Sequence, residues 1–191
     1  MIETITNFDF SILDWIQANL RCELLDKIMP VLSMLGEWGI FWIILGLILL
    51  IFRKTRRCGV LMLISMAVVF LIGDQVIKPL VGRVRPCNIR LDLDIPVDRP
   101  SSNSFPSGHA GIAFTATTMI FMHHKGWGIA ALVLSLLIAF SRLYNYVHYP
   151  TDVLAGIAFG ILVAIVVYFI AKKVKPSNPI KDRKNGKHYS A

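Results

Sequence analysis

The segment S-R-L-Y-N-Y-V-H-Y-P-T-D-V-L-A-G-I-A-F-G-I-L-V-A-I-V-V-Y-F-I-A, residues 141–171, joins a polar mouth to a long apolar run. Residues 153–171 carry no charge, and as a helix, with their flanks, they reach across a hydrocarbon core of ~30 Å. Four further runs of this kind, 38–52, 58–73, 110–122 and 126–141, precede it. At 191 residues the chain suits one domain, and 55% hydrophobic against 17% charged residues is too apolar for a soluble one. The expected fold is all-α: a polytopic membrane helix bundle of five or six transmembrane helices.

The first 35 residues read differently. Asp14, Arg21, Glu23, Asp26 and Lys27 are interspersed with Phe8, Phe10, Ile12, Leu13, Trp15, Ile16 and Leu20, an amphipathic pattern that predicts one or two helices lying in the interface. The expected division is an interfacial segment over 1–23, a membrane domain over 24–171 with 24–35 as a short or tilted first helix, and a basic tail over 172–191. Met1 to Ile5 lacks the basic lead-in of a cleaved signal peptide. Cys22, Cys58 and Cys87 have no C-x-x-C spacing, so neither a disulfide framework nor a zinc site is expected.

Threading five spans sorts the charges. Arg53, Lys54, Arg56, Arg57, Lys125, Lys172, Lys173, Lys175, Lys181, Arg183, Lys184 and Lys187, twelve of twenty basic residues, fall on one side with Asp182 as the one acid. The positive-inside rule makes that side, and the C-terminus, cytoplasmic in a multi-pass cell-membrane protein. The net charge of +8 is then a topology signal, and nucleic-acid binding is not expected. The one long polar connection, about 81–105, reads as a solvated connector. Gly156 and Gly160 form a small-xxx-small pair for close helix packing.

Three polar segments gather at the opposite, outer ends of the spans: K-P-L-V-G-R-V-R-P at 78–86, P-S-G-H at 106–109 and S-R-L-Y-N-Y-V-H-Y-P-T-D at 141–152. Singly, each has a plain structural explanation, since basic residues snorkel at span ends and Ser-Gly caps helices. Together they carry phosphoryl-transfer chemistry. Lys78, Arg85 and Arg142 supply three cations for the oxygens of a phosphate. Ser107 and Gly108 offer a hydroxyl and backbone N–H groups at a helix start, which favours an anion. Asp152, four residues after His148, orients that histidine as a nucleophile, and His109 is placed to act as acid and base. Such a mechanism needs no metal or other cofactor. His123 and His124 lie at the other end and receive no role.

At these residues the chain resembles the type 2 phosphatidic acid phosphatase superfamily of integral membrane lipid phosphatases, whose signature K-x6-R-P, P-S-G-H and S-R-x5-H-x3-D is matched without substitution. The resemblance implies that His148 is the nucleophile, Asp152 its partner and His109 the acid/base, with Lys78, Arg85, Ser107, Gly108 and Arg142 holding phosphate. It also implies metal independence, a core of about six helices and a lipid phosphate or diphosphate substrate drawn from membrane lipids. The small size and outward site look like bacterial undecaprenyl diphosphate phosphatases, with phosphatidylglycerophosphate, phosphatidate and lipid A phosphatases on the same scaffold. The expected reaction is therefore undecaprenyl diphosphate to undecaprenyl phosphate through a phosphohistidine. A non-catalytic lipid-phosphate-binding protein would have lost a histidine, a vanadate haloperoxidase would be soluble, and a transporter would place its polar residues near mid-membrane. Oligomeric state carries no sequence signal.

Overall fold

Apolar runs separated by short polar breaks fold as helices because the backbone in lipid must satisfy its own hydrogen bonds. The structure, a computed structural model, describes residues 2–174. The basic tail beyond 174 lies outside the described residues. Nine α-helices occur among those residues: α1 Ile2–Leu20, α2 Glu23–Leu35, α3 Ile40–Ile51, α4 Arg56–Val69, α5 Lys78–Val81, α6 Pro86–Ile89, α7 Gly108–His123, α8 Lys125–Tyr144 and α9 Pro150–Lys173. A π-helical stretch, Phe70–Ile77, joins α4 to α5.

Two breaks shape the bundle. Trp38 (φ 52°) and Gly39 (φ 68°) both adopt left-handed backbone, which starts the helix of the expected run 38–52 at Ile40 and bends α2 against the following helix by 44°. A side chain at Gly39 would meet Ile112 Cγ2 at 2.9 Å, so glycine answers both the conformation and the space. Gly82 (φ 62°) ends α5 as a left-handed C-cap. Three stretches are long and apolar enough to cross a membrane alone, Arg56–Ile89, Lys125–Tyr144 and Pro150–Lys173, and the bent pair Glu23–Leu35 with Glu37–Ile51 makes a fourth if it is one span. The expected run 110–122 forms α7, only 16 residues long. It lies at the centre, packed against α4, α8 and α9, so protein rather than lipid surrounds most of its length.

Close approach at the centre is set by small residues. Gly111 on α7 faces Gly156 and Gly160 on α9, and Thr115 Oγ1 donates to the Gly160 carbonyl at 3.0 Å. Thr117 and Ser135 hydroxyls meet at 2.7 Å between α7 and α8. Without a hydrophobic drive between helices in lipid, such contacts decide association. Outward faces carry Ile44, Leu47 and Ile48 on α3, Val133 and Leu136 on α8, and Leu162 and Val166 on α9, all exposed. So much exposed apolar surface suits lipid as solvent.

α1 covers one end of the bundle. Leu13 packs with Cys87, Tyr146 and Tyr149, and Ile16 with Met29 and Tyr144, while Phe8 and Trp15 face outward. The 81–105 connection is folded: Arg99 donates to the carbonyls of Arg90, Leu91 and Leu93, and Leu93, Ile95 and Val97 pack on the Tyr146 cluster. The α4 start meets the α9 end through Arg57 Nη2, which donates to the Ala171 carbonyl at 3.1 Å. The basic residues of that region thus gather at one end of the bundle.

A Cβ at Gly160 would lie 2.2 Å from the Gly111 carbonyl oxygen, whereas one at Gly126 meets nothing within 4 Å. Gly160→Ala is expected to lower stability in detergent by about 1–3 kcal/mol through overpacking, and Gly126→Ala to leave the thermal midpoint unchanged. Equal midpoints for both variants would contradict this packing.

Candidate active site

At the end of the bundle opposite the basic residues, the starts of α7 and α9 lie near the start of α5 and the end of α8. The Ser107 N–H donates to the Asp152 carbonyl at 3.0 Å, which pins the first turn of α7 to that of α9. Pro150 at the first helical position and Asp152 in the first turn begin α9, with the Tyr149 N–H donating to Asp152 Oδ2 at 3.0 Å. The turn before it holds Tyr146 in left-handed backbone (φ 57°), its hydroxyl donating to Asp14 Oδ1 at 2.6 Å. This short tethered turn fixes where His148 points.

Lys78, Arg85, Gly108, His109, Arg142 and His148 line one cavity of about 160 Å³. Arg85 Nη1 donates to His148 Nε2 at 3.0 Å and to the Val147 carbonyl at 2.8 Å, while its Nε and Nη2 donate to the Ser102 carbonyl and hydroxyl at 2.7 and 2.9 Å. A guanidinium can only donate, so these partners assign the Nε2 lone pair as acceptor and the proton to Nδ1. His148 Nδ1 faces Asp152 Oδ2 at 3.6 Å, beyond hydrogen-bond length. Arg142 is buried, donates to the Ser33 hydroxyl and leaves its Nε without a partner. His109 Nε2 is likewise buried and unpartnered. Buried polar atoms left open this way are costly unless a ligand meets them.

Two expected residues lie behind the cavity. The Ser107 hydroxyl accepts from the Ala110 N–H at 3.5 Å as the α7 cap and does not line the cavity. Asp152 is fully buried beneath His148. The structure adds residues that motif spacing did not mark. Asp74 and Glu37 line the cavity, and Asp74 is ion-paired with Lys78. That pair was legible as an i,i+4 spacing in D-Q-V-I-K. Ser104 donates to Asp152 Oδ2, and Arg83 Nη1 to Asp152 Oδ1 at 2.6 Å. Among the described residues no group of three or more His, Cys, Asp or Glu is placed to hold a metal ion.

Residues 54–176 match the family model described as PAP2 superfamily. The chain belongs to the PAP2 superfamily. An undecaprenyl-diphosphatase of Sulfolobus acidocaldarius is 32% identical over 158 residues, covering 82% of this chain and 74% of the relative. Phosphatidylglycerophosphatase B of Bacillus subtilis is 35% identical over 144 residues, 70% of this chain and 67% of the relative. The crystal structure of a transmembrane PAP2-type phosphatidylglycerolphosphate phosphatase from Bacillus subtilis superposes with a TM-score of 0.74 at 29% identity, covering 91% of this chain and 89% of that one. All three motifs fall within the matched residues, while α1, α2 and Glu37 precede them.

Burial pushes the His148 imidazole well below its ordinary value near 6.5, and the charges of Arg85, Arg142 and Lys78 push the same way. The unfolded chain therefore takes up this proton more readily, so this group's contribution lowers stability as pH falls below about 6.5. Histidine-selective 15N NMR of the ligand-free protein, assigned by difference with His148→Gln, is expected to show His148 neutral at about pH 6. Titration at or above the ordinary value contradicts this electrostatic account.

Proposed function

We propose that this protein is an integral membrane lipid phosphatase that removes the terminal phosphate of undecaprenyl diphosphate through a phosphohistidine on His148. One observation carries the reading. The cavity lined by the cations and both histidines shares Trp38, Phe70 and Ile112 with an apolar cavity of about 380 Å³ lined further by Ile43, Leu63 and Met66. A phosphate in the first leaves its attached chain facing apolar side chains of the second, as a lipid phosphate requires. The identity to the Sulfolobus undecaprenyl-diphosphatase supports the isoprenyl diphosphate as substrate. The fold likeness to the Bacillus phosphatidylglycerolphosphate phosphatase favours a glycerolipid phosphate as the second reading.

In the proposed reaction Lys78, Arg85 and Arg142 bind the terminal phosphate, with the Gly108 backbone at the start of α7 approaching it closely and Ser107 shaping that turn through its cap. Phosphate competes with Asp74 for Lys78 and with the His148 ring for Arg85, which frees Nε2. Nε2 attacks phosphorus, the bond to the leaving oxygen breaks, and protonated His109 gives that oxygen its proton. Water then attacks the phosphohistidine, losing a proton to His109 as the P–N bond breaks. Asp152 stabilises the charge that develops on the His148 ring. Three cations supply the charge stabilisation that a metal provides in other phosphatases, and the reaction is read as metal-independent.

The same proposal reads α7 as a fifth crossing inside the bundle and the bent pair α2–α3 as one span, with α1 at the interface. The gathering of Arg53, Lys54, Arg56, Arg57, Lys125, Lys172 and Lys173 away from the site supports a cytoplasmic C-terminus and an extracytoplasmic site.

Phosphate release in detergent, with a chelator present, is expected to be fastest from undecaprenyl diphosphate when compared with phosphatidylglycerophosphate and phosphatidate. His148→Ala is expected to reduce it at least about a thousandfold. Lys78→Ala removes a hydrogen bond from a charged group, worth roughly 1.5–3 kcal/mol, and should lower kcat/KM about ten- to a hundredfold. Preference for a glycerolipid selects the second reading, loss of activity with chelator overturns metal independence, and full activity in His148→Ala overturns the mechanism.

A further inference from the structure

Arg83 stands between Lys78 and Arg85, at a position the first motif leaves unspecified, and Asp9 lies on α1, outside the residues the family model matches. Both are built into the site from behind. The Arg83 guanidinium bridges two fully buried carboxylates, with Nη1 donating to Asp152 Oδ1 at 2.6 Å and Nη2 donating to Asp9 Oδ2 at 2.6 Å. Nη1 also reaches Thr151 Oγ1 at 2.8 Å, and the guanidinium carbon stacks 3.8 Å above the centre of the Tyr149 ring. Asp9 in turn accepts from the Thr151 N–H at 3.0 Å and the Thr151 hydroxyl at 2.6 Å. The remaining Asp152 oxygen takes the Ser104 hydroxyl and the Tyr149 N–H, and it is the atom facing His148 Nδ1.

The charge pattern has a consequence for a nucleophilic imidazole. Forming a bond at Nε2 places positive charge on the ring. Among the described residues, the charged or titratable groups facing that ring from the cavity are Lys78, Arg85, Arg142, His109, Asp74 and Glu37, with Asp152 behind it. Arg83 by itself would cancel the charge of Asp152. Asp9, across Arg83, restores one net negative charge to the trio, at a site where low dielectric makes charge count heavily.

We infer that Asp9 and Arg83 are positioning residues of the site: α1 supplies a carboxylate that, through Arg83, fixes the orientation of Asp152 and keeps one net negative charge behind His148. The inference rests on the proposed role of His148 as nucleophile. It makes the N-terminal helix part of the catalytic assembly rather than only a cover over the bundle end.

The test is a charge-balanced cycle on the full-length protein in detergent, with undecaprenyl diphosphate as probe: Asp9→Asn, Arg83→Gln, the double variant, and His148→Ala as reference. Counting the trio, wild type carries −1, Asp9→Asn 0, Arg83→Gln −2 and the double variant −1 again. Asp9→Asn is expected to lower kcat about tenfold with little change in KM and to move the acid limb of kcat/KM to lower pH, since the ring's cation is less stabilised. Arg83→Gln is expected to move that limb to higher pH, and the double variant to return it towards wild type and recover kcat relative to Asp9→Asn. If one single variant fails to fold, the direction of the other and the return in the double variant carry the test.

Unmoved limbs and unchanged kcat in folded variants, or shifts of one sign in both singles, overturn the inference while an inactive His148→Ala leaves the nucleophile assignment standing. Activity retained in His148→Ala overturns the nucleophile and the inference together, and no turnover of the probe by wild type does the same for the proposed reaction.

Discussion

One buried carboxylate, that of Asp152, ties together most of what places this site. It caps the first turn of α9 through the Tyr149 N–H, receives Ser104 and Arg83, and faces the ring of His148. Its own backbone carbonyl takes the N–H of Ser107 and so holds α7 against α9. A carboxylate fully buried in a membrane protein needs several hydrogen-bond donors, and these are the donors. Removing them would free the helix starts and the ring at once. The close α7–α9 approach over Gly111, Gly156 and Gly160 is the packing counterpart of that polar joint.

The cavity in front of this joint carries open hydrogen-bonding capacity. Arg142 Nε and His109 Nε2 are buried without partners, and Lys78 is held by Asp74. In the proposed reaction a phosphate meets these open groups and competes for Lys78, while the adjoining apolar cavity takes the lipid attached to it. Arg142, whose buried Nε is already open, is preorganised in this sense, whereas Lys78 and Arg85 exchange partners when phosphate binds in the proposed reaction. Family membership, the cavity's chemistry and the apolar outer faces all agree on a membrane setting for that chemistry.

Much of this was legible in the amino-acid sequence, for identifiable reasons. Apolar runs without charge report helices in lipid regardless of how they pack, so the all-α bundle followed from composition and spacing. The motif residues Lys78, Arg85, His109, Arg142 and His148 do meet in one cavity, because each stands at a helix end and helix ends at one face of a bundle converge. Span counting was less secure. Run 38–52 begins with a bend at Trp38 and Gly39, set by backbone conformations that hydropathy does not report, and α7 is only 16 residues long. Ser107 reads as a phosphate ligand from its place before α7, and its hydroxyl also accepts from the Ala110 N–H as that helix's cap. Asp9 and Arg83 were invisible because their meaning lies in a contact across 74 residues of chain, with no periodicity to mark it.

The central claim is that His148 carries the phosphoryl group. Rapid-quench mixing of the protein with undecaprenyl diphosphate labelled in its terminal phosphate tests this most directly. The account predicts a transient protein-bound label that is stable to base, labile to acid, located on the peptide containing His148 and absent in His148→Ala. Phosphate release by wild type at full rate, with no label on that peptide at any time during turnover, would contradict it.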